Sequence, residues 1–219
     1  MALDAGAHGI TVHPRPDARH IRASDVHELA PYVRARRGVE FNIEGNPFPE
    51  FMALVRATRP DQCTLVPDSV DAATSDHGWN VEEHRSQLAA VISELRQLGI
   101  RVSLFMDFDS DQWQLAKDLG ADRVELYTEP YASAHARGEF EAILDGYRAA
   151  ARKAQAVGLG VNAGHDLNLA NLADFCSIPG ILEVSIGHAL IADALKMGLP
   201  AAVRAYLHEL SGSSRVANT

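Results

Sequence analysis

Leu98-Gly-Ile-Arg-Val-Ser-Leu-Phe-Met-Asp-Phe-Asp-Ser-Asp-Gln-Trp-Gln-Leu-Ala-Lys-Asp-Leu-Gly-Ala-Asp-Arg-Val-Glu-Leu-Tyr-Thr128 decides the fold. It holds two short apolar runs, near 101–106 and 123–128, each preceded by a leucine-glycine pair. Glycine just past the last turn of a helix takes the left-handed conformation that stops it. Leu98-Gly-Ile and Leu119-Gly-Ala are therefore helix ends that run at once into strands. Between the runs, Ser110 before Asp111-Gln-Trp-Gln predicts a capped helix over 110–119. Strand, helix and strand in so short a space form a βαβ unit, and its two strands lie parallel.

The unit repeats in both directions. Strands are predicted near 9–13, 39–44, 62–66, 101–106, 123–128, 160–164 and 181–186. Helices are predicted near 25–36, 48–58, 80–98, 110–119, 138–157, 168–175 and 189–197, with a last one near 199–210. Ser24, before Asp25-Val-His-Glu, is the expected cap of the first. This rhythm, unbroken by any low-complexity linker, points to a single α/β domain over 1–219, a TIM (β/α)8 barrel. Such barrels take roughly 250 residues, so the chain is short by about one strand–helix unit. Its opening, Ala2-Leu-Asp-Ala-Gly-Ala-His, reads as a helix tail entering a glycine stop with no strand before it. The expectation is an N-terminally incomplete barrel whose first strand is missing from these residues. A barrel with that gap exposes two strand edges, which lowers its stability or recruits another segment.

Composition narrows the partners. A net charge of -9 argues against nucleic acid, whose phosphates are held by clustered Lys and Arg. Small phosphorylated molecules remain compatible, because a local pocket can be positive on an acidic surface. No stretch approaches the roughly 18 apolar residues of a membrane span, and the first residues do not read as a secretion signal. A cytoplasmic protein with no membrane partner is expected. Cys63 and Cys176 have no metal-ligand spacing and read as small reduced hydrophobes.

Ionisable side chains at the C-terminal ends of parallel strands converge on one mouth, where α/β barrels keep their chemistry. His13, His165 and His188 each follow a predicted strand, and His20 lies just beyond one. Histidine gains and loses protons near neutrality. Glu44 ends a strand in which Asn42 and Glu44 share a face opposite Val39, Phe41 and Ile43. A buried carboxylate there is paired, hydrogen-bonded or protonated, and a shifted carboxyl serves as a general acid or base. Glu125, within Arg123-Val-Glu-Leu, follows the same logic, since helices cover the outside of a parallel sheet. Arg15 and Arg19 lie with His13 and His20 in a proline-rich loop suited to a phosphate or carboxylate. Gly164 allows close backbone approach, Asp166 and Asn168 read as helix caps, and Gly187-His188 opens a helix where barrels often bind phosphate. The irregular stretch from Pro67 to Trp79 reads as a lid. Asp107, Asp109 and Asp111 admit a metal reading, against which stands the ordinary preference for acids at a helix start.

Taken in order, Gly9-Ile-Thr-Val-His-Pro-Arg15, Arg19-His20-Ile21, Phe41-Asn-Ile-Glu44, Thr64-Leu-Val-Pro67, Val102-Ser-Leu-Phe105, Val124-Glu-Leu-Tyr-Thr128, Val161-Asn-Ala-Gly-His165 and Ile186-Gly-His188 resemble the pyridoxine 5'-phosphate synthase family to about residue 210. The family's first strand, with its Asn-x-Asp-His segment and following Arg, has no counterpart among these residues. The resemblance implies a cofactor-free barrel, a homo-octamer, that condenses 1-deoxy-D-xylulose 5-phosphate with 3-amino-2-oxopropyl phosphate. The products are pyridoxine 5'-phosphate, phosphate and water. It further implies His13 and Glu44 as proton acceptors, His165 as proton donor and Glu125 as the group stabilising the transition state. Arg15, His20 and Thr74 match positions around the sugar phosphate; Asp166, Gly187 and His188 match positions around the aminoketone phosphate. Two other readings compete: a metal-dependent isomerase or lyase using His13, Glu44, Glu125 and His165 as ligands, and an inactive barrel acting as a subunit.

Overall fold

The computed structural model describes residues 1–216, with side chains to residue 211. Seven parallel strands form one sheet in sequence order: β1 (Gly9–Val12), β2 (Glu40–Gly45), β3 (Gln62–Leu65), β4 (Arg101–Met106), β5 (Arg123–Tyr127), β6 (Gly160–Gly164) and β7 (Ile181–Ser185). The helices are α1 (Ala23–Arg34), α2 (Pro49–Thr58), α3 (Arg85–Gln97), α4 (Trp113–Asp118), α5 (Glu129–Ala136), α6 (Glu141–Ala156), α7 (Leu172–Phe175), α8 (His188–Met197) and α9 (Leu199–Val216). Strands alternate with helices throughout, so the sheet curls into a nearly closed α/β barrel. Before β1 the chain makes a short 3-10 turn, Leu3–Ala5, stopped by Gly6 at φ 107°. Among the described residues, β1 pairs only with β2 and β7 only with β6, leaving the two free edges that the strand count predicts.

The period-2 alternation of the strands sorts two different environments. Outward residues are apolar and lie under the helices: Ile43, Cys63, Leu65, Val102, Leu104, Val124, Leu126 and Val161 are buried against Val33 of α1, Leu88, Ile92 and Leu95 of α3, and Leu144 and Tyr147 of α6. Each such Leu, Ile or Val contributes roughly 1.5–3 kcal/mol by leaving water. Inward residues are mostly polar, with Phe105 and Tyr127 meeting toward the upper end (5.5 Å between ring centroids). At the lower end Arg101 Nε donates to Gln62 Oε1 (2.8 Å) and its guanidinium pairs with Glu40 and Glu183, while Asn162 Nδ2 donates to Glu183 Oε2 (2.9 Å). Arg101 and Arg123 offset Glu40 and Glu183, and the Arg101 guanidinium holds the Glu40 carboxyl below its ordinary range. Buried polar atoms must find partners, and this interior supplies them from strand to strand.

Several helix ends differ from their predicted positions, for local reasons. Helix α1 begins at Ala23, and Asp25, not Ser24, closes it: Asp25 Oδ2 accepts from Arg22 N (3.0 Å). Helix α4 begins at Trp113, because the Ser110 hydroxyl accepts Gln112 N–H (3.2 Å) and turns the chain first. The predicted helix over 138–157 starts at Glu141, and a separate helix α5 precedes it, entered through Pro130 in its first turn. Helix α3 starts only at Arg85, after a turn over 81–84, and α7 shrinks to Leu172–Phe175. Beside the free edge of β7, Leu182, Ile191, Leu195 and Met197 are exposed, while α8 is tied to α9 by Tyr206 Oη donating to Asp193 Oδ2 (2.8 Å).

Candidate active site

Because all seven strands run the same way, their C-terminal ends meet at one mouth. β1 delivers His13, β2 delivers Glu44, β5 delivers Glu125 one layer deeper, and β6 delivers Gly164 and His165. Asn42 and Thr64 bridge the two carboxyls: Asn42 Nδ2 donates to Glu44 Oε1 (3.3 Å), Thr64 Oγ1 donates to Asn42 Oδ1 (3.2 Å) and lies 3.5 Å from Glu125 Oε2. Asn42 also donates to Thr11 Oγ1 (3.3 Å), so the network spans β1, β2, β3 and β5. Burial pushes Glu44 up to about 7, with the nearby Asp68 charge adding to the effect. Glu125, only 3% exposed, is raised well above its ordinary value by burial and then by Glu44 and Glu183. His13 moves the other way, down to about 4, through burial first and then the adjacent Arg15 charge. Burial thus favours the neutral imidazole of His13 and shifts both carboxyls toward their protonated forms. Groups whose environments push their proton affinities apart can serve as both acceptors and donors.

The lid crosses over this mouth. Thr74 Oγ1 lies 2.8 Å from His165 Nε2, and His165 Nδ1 lies 2.8 Å from Asp166 Oδ2. The His165 ring meets the edge of Tyr127 at 5.3 Å between centroids, and Thr128 Oγ1 holds the His165 carbonyl. His165 and Asp166 both sit at positive φ, 91° and 59°, a conformation costing of order 1–3 kcal/mol each that is tolerated where it aims a functional side chain. Asp166 Oδ1 also reaches His188 Nε2 (3.1 Å), so Asp166 joins the end of β6 to Gly187-His188 at the start of α8. Asp166 is thus a bridge between two histidines as well as a turn residue.

On the opposite side, Arg15 is buried and its Nη2 lies 2.8 Å from Asp68 Oδ2. Its Nη1 donates to the Ala72 carbonyl (3.3 Å), and Arg19 reaches the same oxygen. Both arginines of the first loop thus grip the lid from below. His20 is exposed on that loop. Most of the predicted residues gather as two groups, His13, Arg15 and Glu44 on one wall and Thr74, His165, Asp166 and His188 on the other, with Glu125 on the floor beside Gly164 and His20 outside both. Asp107 is occupied by the lid, accepting Gly78 N–H (3.0 Å), and among the described residues no group of three or more His, Cys, Asp and Glu is placed to hold a metal ion. Cys63, on the outward face of β3, is fully buried and burial pushes its thiol up. Thr64, Asp68 and Ser75 are members that the strand-end reasoning does not reach. Thr64 was within range of it, since Gln62 and Thr64 alternate with the buried Cys63 and Leu65.

Gly164 shows how tightly the floor is built. A Cβ placed there would run into Glu125 Oε1 and approach Ser185 Cβ at 3.3 Å. Gly164→Ala is expected to push the Glu125 carboxyl off Thr64 and lower kcat by about 10- to 100-fold, as a misplacement of the order of an ångström does. Steady-state turnover beside a melting curve checks this, and wild-type kcat in a folded variant would contradict it.

Fold and mouth together define an acid–base enzyme of the α/β-barrel class. Solved structures of similar shape agree on the fold: TrpF from Jonesia denitrificans superposes with a TM-score of 0.65 at 16% identity, covering 97% of this chain and 90% of that one. A phosphoribosyl anthranilate isomerase from Thermus thermophilus gives 0.62 at 14% identity, covering 96% and 91%. Sequence comparison is more specific. The pattern of the family described as "Pyridoxal phosphate biosynthesis protein PdxJ" matches residues 1–212. A pyridoxine 5'-phosphate synthase of Xanthomonas axonopodis pv. citri (strain 306) is 57% identical over 213 residues, covering 94% of this chain and 83% of the relative. One from Xylella fastidiosa (strain M23) is 55% identical over 213 residues, covering 94% and 82%. The chain belongs to the PdxJ family of pyridoxal phosphate biosynthesis proteins.

Proposed function

We propose that this chain condenses 1-deoxy-D-xylulose 5-phosphate with 3-amino-2-oxopropyl phosphate to give pyridoxine 5'-phosphate, inorganic phosphate and water. The observation that carries the reading is the convergence at one mouth of His13, of the Glu44 and Glu125 carboxyls bridged by Asn42 and Thr64, and of a histidine bonded to the lid. Building a pyridine ring from an amine and two carbonyl compounds takes imine formation, phosphate elimination, water addition, ring closure and dehydration. Every step moves a proton, and no single side chain can be placed for all of them. His13 and Glu44 accept protons on one wall; His165, held through Nδ1 by Asp166, presents Nε2 to donate from the other. Glu125, deep and shifted by burial toward its protonated form, donates a hydrogen bond to the oxygen that gains charge as the ring closes.

Arg15, His20 and Thr74 hold the sugar phosphate, while Asp166, Gly187 and His188 surround the aminoketone phosphate. The lid keeps water from the imine while it exists. The working form in this reading is a homo-octamer in the cytoplasm, its described part a single barrel; among the described residues no helix is long and apolar enough to cross a membrane. Mixing the protein with both phosphates, without added metal, and following pyridoxine phosphate by absorbance beside phosphate release tests the reaction. No product from the folded protein would count against it.

Thr74→Val keeps the volume and removes the hydroxyl that lies 2.8 Å from His165. The expected result is a KM for the sugar phosphate raised about 10-fold, the loss of a hydrogen bond to a charged group at about 1.5 kcal/mol, with kcat changed less. An unchanged KM would contradict the assignment.

A further inference from the structure

Five buried side-chain polar atoms among the described residues have no hydrogen-bond partner, and three of them, Arg15 Nε, Asn46 Oδ1 and Asp68 Oδ1, belong to one cluster. Asn46 Nδ2 donates to the Asp68 carbonyl (3.1 Å), Arg15 Nη2 reaches Asp68 Oδ2 (2.8 Å), Ser75 Oγ donates to the same oxygen (2.7 Å), and His13 Nε2 stands 3.9 Å from it. The Asp68 and Arg15 side chains are each 5% exposed. Asp68 thus touches the phosphate-binding arginine, the base at the end of β1 and the middle of the lid through a single carboxylate. A buried ion pair is weak evidence for stability, because desolvation offsets most of its attraction. Two buried charges with orphaned atoms beside a reacting mouth are better explained by what they position.

We propose that Asp68 is a positioning residue of this reaction, holding Arg15 and His13 in register and fastening the lid through Ser75. The inference rests on the synthase reading and goes beyond it, since that reading gives Asp68 no role and Asp68 acts only through the site groups it touches. The charges around it support the role. His13 faces Arg15, Arg19 and His20 from its own loop, which lower its proton affinity, and Asp68 from the segment after β3, which raises it. Glu44 faces Asp68, Arg15 and Asn42, lies in the field shared with Glu125 and Cys63, and is held up in part by Asp68. Removing the Asp68 charge therefore eases proton loss from both His13 and Glu44.

The test compares wild type, Asp68→Asn, Asp68→Glu and Ser75→Ala in turnover of both phosphate substrates across pH, with a melting curve for each. Asp68→Asn is expected to lower kcat/KM by about 10- to 100-fold and to move the acid limb of its pH profile downward by about 0.5 to 1 unit. Asp68→Glu retains the charge but not the reach, so its limb stays in place while kcat/KM falls. Ser75→Ala leaves the limb in place with a severalfold smaller kcat/KM. Asp68→Asn with wild-type kcat/KM, or with an unmoved limb and a loss that tracks melting alone, would overturn the proposal. If Asp68→Asn does not fold, Asp68→Glu decides: wild-type kcat/KM there also overturns it. No product from the wild type would overturn the synthase reading and this proposal with it, whereas wild-type product with indifferent Asp68 variants sinks the proposal alone.

Discussion

His165→Asn is expected to lower ring formation by about 10²- to 10⁴-fold while the protein melts as the wild type does. The choice of Asn separates chemistry from folding. His165 sits at φ 91°, where most residues are strained and Asn is among those that tolerate positive φ best. The Asn amide can still meet Asp166, which accepts from His165 Nδ1 at 2.8 Å. What it cannot do is carry a proton from that side to Nε2, the atom that faces Thr74 across the mouth. The edge contact with Tyr127 is lost, but the ring is not part of the closed core, so the cost in stability is small. Single-turnover measurement beside a thermal melt checks both halves. Normal turnover in a folded His165→Asn would remove His165 from the mechanism, and a collapsed melt would make it structural.

The strands were legible because two rules act on each of them independently. Period-2 alternation separated Phe41 and Ile43 from Asn42 and Glu44, and parallel direction carried every strand end to the same mouth. Hence β4 and β6 fall where expected, at Arg101–Met106 and Gly160–Gly164, and His13, Glu44, Glu125 and His165 could be singled out as ionisable groups at strand ends before any geometry was known. Helix starts were less legible, since several polar residues in a row can each close the first turn: Asp25 prevails over Ser24 because its carboxylate reaches both the amide and the guanidinium of Arg22. Helix α5 was hidden because its apolar residues show hardly any one-sided pattern and it buries only Tyr131 and Ala134. The lid was legible as a loop but not as a set of contacts. Thr74 meets a residue 91 positions away, and Asp68 and Ser75 meet Arg15 from 53 and 60 positions away, so no local rule pairs them. Thr74 entered the site only through family resemblance, and Asp68 only through the structure.

Glu44→Gln is expected to do two opposite things: lower turnover by about 10²- to 10⁴-fold and make the fold more stable above neutral pH. The glutamine amide oxygen can still accept from Asn42 Nδ2, as Glu44 Oε1 does, and fills the same space, but the amide neither ionises nor accepts a proton. The sign of the stability change follows from linkage. In the folded protein Glu44 is raised from 4.5 to about 7, so between those values the native state keeps a proton that the unfolded chain has released. The stabilising contribution of the protonated carboxyl is fully present below the unfolded value and is lost as pH rises through about 7. His13 slopes the other way: with a folded value lowered from 6.5 to about 4, its contribution is present above 6.5 and is lost as pH falls through about 4. Because His13 is common to both proteins, its slope cancels in the difference, which reports Glu44 together with its effect on the neighbouring Glu125. The advantage of Glu44→Gln over wild type is expected to grow by about 2 kcal/mol between about pH 5 and pH 8, read from urea melts at the two pH values. A constant difference would mean that Glu44 titrates alike in folded and unfolded chains, which would remove the reason to regard it as the base. A growing difference with lost turnover would show the carboxyl held in a costly state for its chemistry, the trade that a proton acceptor beneath a lid requires.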